Sequence, residues 1–173
     1  MSNSEREMAN AMYLAGFDVK DVHMTDLISG RETLEDIQFI GAVGGFSNSD
    51  VLGSAKGWAG AFKYNAKAKK ALKNFFKRED TLSIGICNGA QLWMELDLIN
   101  PKHKVHGKLG YNDSKKHESS FTSVKIQDNN SVMLSTKPSM NNIPPSPSLP
   151  IVMLFILHTI SMASTLMILI PFP

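Results

Sequence analysis

Apolar and polar residues follow different rhythms along this chain, and each rhythm predicts an element. Residues 5–15 carry apolar positions at helical spacing, with Met8, Ala11, Met12 and Ala15 on one face. Ser4 and Glu7 have the S-x-x-E form of a capping box, in which hydroxyl and carboxylate each satisfy a free N–H at the helix start. Gly16 is placed to end this helix by adopting a positive φ. Residues 17–24, FDVKDVHM, alternate at period two, as a strand with one buried face does. Residues 39–43, FIGAV, are continuously apolar and suit an interior parallel strand. A loop at Gly44-Gly45-Phe46-Ser47 follows, then a helical stretch over about 58–77 whose many lysines read as a solvated outer face.

A second short apolar strand is predicted at 82–86 and a helix at 90–96. Strand, helix, strand, helix, strand is the pattern of a doubly wound α/β sheet, in which sites gather at the carboxyl ends of the strands. Two such ends carry chemistry here: the Gly44-Gly45 loop and Cys87. Beyond Leu98 the chain becomes polar, with a loop expected over 102–116 and short strands at about 121–126 and 132–134. From Pro138 to the last residue no Asp, Glu, Lys or Arg occurs; PSMNNIPPSPSLP is followed by IVMLFILHTISMASTLMILIPFP. The chain is therefore divided into a domain over 1–136 and an aberrant tail over 137–173.

Composition narrows the function classes. The 173 residues suffice for one domain with a real core. With 18 basic and 16 acidic side chains the formal charge is +2, and no basic run interleaves with aromatics, so nucleic-acid binding has no support. One cysteine forms no internal disulfide and no zinc site with two thiolates, which suits a reducing cytoplasm. The start, MSNSEREMANAM, is polar and carries two glutamates where an export signal would be basic and then apolar. No metal site is indicated, and no P-loop pattern is present to bind a nucleotide.

Cys87 is flanked as a nucleophile is. Gly85-Ile86-Cys87-Asn88-Gly89 has the form G-x-C-x-G directly between an apolar strand and a helix. This is the thiol counterpart of the nucleophile elbow, with glycines that let the chain turn tightly and expose the reactive side chain at a helix N-terminus. Such a position also favours thiolate, because free N–H groups and the helix dipole point at it. The competing reading, an inert buried thiol, does not account for both glycines and the strand-to-helix setting.

GICNGAQ matches the G-x-C-x-G-x-Q motif, and the chain resembles the class I, triad-type glutamine amidotransferases. With SNSEREMANAMYLAGFDVKDVHMTDL, GGFSNSDVLGSAKGWA and GICNGAQLWMEL in one chain, residues 2–135 look like the glutaminase domain of the phosphoribosylformylglycinamidine synthases. The resemblance implies a flavodoxin-like, mainly parallel sheet. It implies that Cys87 attacks the side-chain amide of glutamine, that the backbone N–H groups of Gly45 and Asn88 hold the oxyanion, and that Gln91 helps to bind glutamine. It further implies that ammonia passes to a synthetase part, absent from this chain, where ATP and magnesium drive conversion of formylglycinamide ribonucleotide to formylglycinamidine ribonucleotide in purine biosynthesis.

Two departures accompany the resemblance. The family supplies its base from a downstream His-x-Glu pair, which does not occur here; none of His23, His103, His106, His117 and His158 is assigned as base, and the chain is expected to be inactive in turnover. The family also has a parallel strand before the SNSERE segment, in the interior of the sheet, so the fold is expected to be incomplete at both ends and poorly stable. The tail has three readings: a membrane anchor over 149–172, a divergent strand region, or residues beyond about Thr136 translated out of frame. Pro150, Pro171, His158, Ser161, Ser164 and Thr165 argue against a membrane span, and the sharp junction favours the third reading. A non-catalytic α/β module tethered by this tail is the alternative function.

Overall fold

The computed structural model describes residues 4–45, 52–53, 55–99 and 104–116, together with the backbone of 166–171. Among them the chain forms α1 (Glu5–Leu14), β1 (Phe17–Val22), α2 (Met24–Ser29), β2 (Phe39–Ala42), α3 (Lys56–Tyr64), α4 (Ala66–Lys77), β3 (Leu82–Gly85), α5 (Asn88–Glu95) and β4 (Leu166–Pro171). The strands make one sheet in the order β1-β4-β2-β3. The α/β class is as the alternation of patterns predicts. β2 and β3 are parallel, whereas β4 runs antiparallel to both β1 and β2, so the described sheet is mixed rather than mainly parallel.

β2 explains its own uninterrupted apolar sequence. All four of its residues are buried, because helices cover both faces of the sheet. Ile40 and Ala42 face the larger core, with Trp58 and Phe62 of α3, Leu72 and Phe75 of α4, and Leu92 and Trp93 of α5. Phe39 and Val43 face the other way, onto Met8 of α1, with Ala9, Met12, Phe17, Val19, Ile84 and Ile86 packed around them. The helix α1 ends where Gly16 takes φ +93°, as its position predicts. Its apolar face is rotated from the expected one: Met8 is buried and Ala9 and Met12 pack against the cluster, while Ala11 and Ala15 are exposed.

The helical stretch 58–77 is two helices. Asn65 stands between them in extended conformation, and its side-chain oxygen accepts from the N–H groups of Lys67 and Ala68, both at 3.0 Å. This is an N-cap that starts α4 afresh. The α4 lysines at 67, 69, 70, 73 and 77 are exposed, as read from the sequence. A short helix, α2, follows β1 without having been expected. His23 is its N-cap, with the Asp26 carboxylate accepting from the His23 N–H at 3.1 Å.

The loop entering β2 is braced from two sides. The Arg78 guanidinium donates to the carbonyls of Leu34, Glu35 and Ile37 at 3.3, 2.7 and 2.9 Å. Glu32 accepts from the N–H groups of Thr33 and Leu34 and pairs with Lys20 of β1. Burial opposes ionisation of Glu32, but the Lys20 and backbone hydrogen bonds outweigh it and hold the carboxyl below its ordinary value of 4.5.

β4 lies in the interior of the sheet, between β1 and β2. Its register runs Phe17↔Pro171 to Val22↔Leu166 on one side and Phe39↔Leu169 to Ala42↔Leu166 on the other. Pro171, which has no N–H, falls beyond the reach of β2. The described part of the tail is thus a strand, and no helix among the described residues is long and apolar enough to cross a membrane. The strands expected at 121–126 and 132–134 lie outside the described residues. Residues 104–116 contain neither helix nor strand, as expected.

Candidate active site

Parallel pairing brings the two chemically marked strand ends together. Ala42 lies opposite Gly85, so the chain leaves β2 and β3 at the same level, and the Ile86 N–H still donates to the Ala42 carbonyl at 2.9 Å. One residue later the chain reverses into α5. The Gly89 N–H donates to the Ile86 carbonyl at 2.9 Å, and the Gln91 N–H to the Cys87 carbonyl at 3.1 Å. Between these anchors Cys87 is held at φ +54° and ψ −114°. A residue with a β-carbon avoids such a conformation, at a cost of about 1–3 kcal/mol, and keeps it only when its surroundings dictate it.

The glycines beside Cys87 act differently from the expectation that they provide the turn. Neither Gly85 nor Gly89 has a positive φ; the strained conformation belongs to Cys87 itself. They are required by close approach instead. A β-carbon on Gly85 would come within 2.7 Å of the Gly89 backbone and of Trp93 Cδ1, and one on Gly89 would collide with the Ala42 carbonyl. The absence of side chains lets α5 sit directly on β2 and β3, which brings its first turn and Cys87 over the Gly44-Gly45 loop.

That loop touches the elbow. A β-carbon on Gly44 would lie 3.0 Å from Cys87 Cβ and 3.3 Å from the Ile86 carbonyl oxygen. Gly45 follows with φ +99°. Asn88, fully buried at the start of α5, donates through Nδ2 to the Gly45 carbonyl at 3.1 Å and so ties loop to helix. The Ser4 hydroxyl donates to the Gly44 carbonyl at 2.7 Å. The expected capping box is therefore not made, since Ser4 gives α1 no side-chain cap.

The structure thus brings together Cys87, Gly45 and Asn88, with Cys87 partly exposed. Gln91, one turn along α5, is buried, and its side-chain Oε1 has no hydrogen-bond partner among the described residues. Gln91 is thus not a solvated residue of the first helical turn. Sequence reasoning missed the side chains of Ser4 and Asn88; their partners are 40 and 43 positions away, so no local spacing signals them.

The histidines stand apart from this constellation as far as they are described. His23 caps α2, and His106 Nδ1 lies 3.7 Å from Asp97 Oδ1, just past the end of α5. The length of that helix separates Asp97 from the Cys87 end by roughly 12 Å. His103, His117 and His158 lie outside the described residues.

The profile of a CobB/CobQ-like glutamine amidotransferase domain matches residues 2–146. The chain belongs to the glutamine amidotransferase family. This amidotransferase domain is 45% identical over 140 residues to the Arabidopsis thaliana protein named "Probable phosphoribosylformylglycinamidine synthase, chloroplastic/mitochondrial", covering 77% of the chain and 10% of that relative. It is 46% identical over 136 residues to the Caenorhabditis elegans "Probable phosphoribosylformylglycinamidine synthase", covering 78% of the chain and 10% of the relative. The amidotransferase chain therefore spans about a tenth of the length of these relatives.

Proposed function

We propose that this chain is the glutamine-cleaving part of a phosphoribosylformylglycinamidine synthase, with Cys87 as nucleophile. The observation that carries this reading is the strained backbone of Cys87, held between β3 and α5 and against the Gly44-Gly45 loop. In the proposed step the thiolate attacks the side-chain amide carbon of glutamine. Charge moves to the amide oxygen, which takes hydrogen bonds from the backbone N–H groups of Gly45 and Asn88. The proton given up by the thiol passes to the amide nitrogen, the C–N bond breaks as the oxyanion collapses, ammonia leaves, and water hydrolyses the γ-glutamyl thioester to glutamate and free thiol.

Gln91 supports substrate binding in this scheme. An unpartnered buried acceptor is uncommon in a folded protein, and an N–H of bound glutamine would satisfy it. Ammonia would serve the remainder of a longer protein, where ATP and magnesium act on formylglycinamide ribonucleotide; the names of the two relatives support that assignment. The His-x-Glu pair that the resemblance implies as base does not occur in this sequence, so we assign this chain capture of glutamine and, at most, slow turnover. The helices on both faces and the parallel pair β2 and β3 support a flavodoxin-like relationship for this sheet, in which β4 holds an interior position. The single cysteine fits a cytoplasmic setting.

A glutamine-like diazo ketone tests the assignment. Mass mapping is expected to place its adduct on Cys87, and Cys87→Ala to remove it. An adduct at other side chains, with Cys87 unmodified, would overturn the assignment.

A further inference from the structure

We propose that Ser4 is a positioning residue for the active-site loop, a latch that sets the direction of the Gly45 N–H. The proposal rests on the amidotransferase reading given above and extends it to a residue on a separate helix. Gly44 and Gly45 are joined by a trans peptide, as no cis bond occurs among the described residues. In a trans unit the carbonyl of Gly44 and the N–H of Gly45 point in opposite directions and turn together. Fixing one therefore fixes the other.

This peptide is the one in the loop most in need of fixing. Neither of its residues has a β-carbon, so rotation of the plane meets little steric resistance. Turning it over would present a carbonyl oxygen where the N–H stood, and a developing oxyanion would meet repulsion instead of a donor. The Ser4 hydroxyl holds the Gly44 carbonyl at 2.7 Å, and Asn88 Nδ2 holds the Gly45 carbonyl at 3.1 Å. The planes on both sides of Gly45 are thus pinned, one from α1 and one from α5.

The use made of Ser4 is informative because a better local use was available. It is the N-cap of α1, where a serine hydroxyl ordinarily bonds a first-turn N–H and stabilises the helix. Here it makes no such bond and reaches across 40 positions of sequence to the loop. A β-carbon built on Gly44 would lie 3.7 Å from Ser4 Oγ and 3.0 Å from Cys87 Cβ, so the latched glycine packs closely against Cys87.

The test compares two reagents on the full chain carrying Ser4, Ser4→Ala or Ser4→Thr. A glutamine-like chloroketone adds thiolate to its carbonyl carbon, generating an oxyanion, before sulfur displaces chloride. Iodoacetamide loses iodide by direct displacement at its methylene and forms no oxyanion. Ser4→Ala is expected to slow chloroketone labelling of Cys87 by roughly ten- to hundredfold, while iodoacetamide labelling changes less than about twofold. Ser4→Thr restores the chloroketone rate. Equal rates for Ser4→Ala and the native chain, or a parallel fall with both reagents, would overturn the latch.

If the native chain takes iodoacetamide at Cys87 but never the chloroketone, the amidotransferase reading fails instead. The latch is then decided by 15N relaxation at the Gly45 amide. Ser4→Ala is expected to add microsecond-to-millisecond exchange there, and unchanged relaxation counts against the proposal.

Discussion

Cys87 carries a side chain at a backbone position that glycine would occupy with less strain, and this has a measurable consequence. Replacing it by glycine releases the strain of φ +54° but adds freedom to the unfolded chain, whereas alanine keeps the strain. Cys87→Gly is expected to be more stable than Cys87→Ala by about 1 kcal/mol in urea unfolding. Equal stability would mean that the elbow stores no strain. The elbow itself was legible, because G-x-C-x-G between a strand and a helix is a local pattern. The reason for its glycines was not legible, since the contact of Gly89 with the Ala42 carbonyl depends on how α5 lands on β2. Ser4 shows the same limit: a capping box and a latch have identical local sequence, and only a partner 40 positions away separates them.

At the scale of elements, periodicity located β1, β2 and β3 to within a residue or two and lost the break between α3 and α4. The stretch 58–77 keeps its apolar spacing across Asn65, so the pattern alone does not reveal the cap that divides α3 from α4. The brace between β1 and the loop entering β2 likewise joins residues distant in sequence, and it titrates. Glu32 has a lowered carboxyl pKa in the folded chain, so its contribution to stability is complete above the ordinary value of 4.5 and is lost as pH falls through the folded value. Glu32→Gln is therefore expected to be less stable than the native chain at neutral pH, with the difference shrinking as acid protonates Glu32. A difference that stays constant below pH 4.5, measured by urea unfolding across pH, would contradict the brace.

Across the whole molecule, the sheet depends on a strand from the far end of the chain. β1 and β2 are separated by β4 and do not pair with each other, so removal of β4 leaves a gap of about two strand spacings, near 10 Å. Ile168→Pro removes a backbone donor in this interior strand, opposite Lys20 and Ile40. Amide hydrogen exchange is expected to show lost protection throughout β1 and β2, not only near residue 168. Intact protection of both strands would mean that β4 is not required. It was not legible that residues 166–171 form the strand between β1 and β2, because apolar composition suits a strand in a sheet and a span in a membrane alike.

The central claim is that the site at Cys87 recognises glutamine. Its most direct test is the rate of Cys87 alkylation by iodoacetamide in the full chain at increasing L-glutamine, with L-asparagine as the shorter control. Saturable protection by glutamine and none by asparagine is the predicted result; a rate indifferent to both amino acids would contradict it.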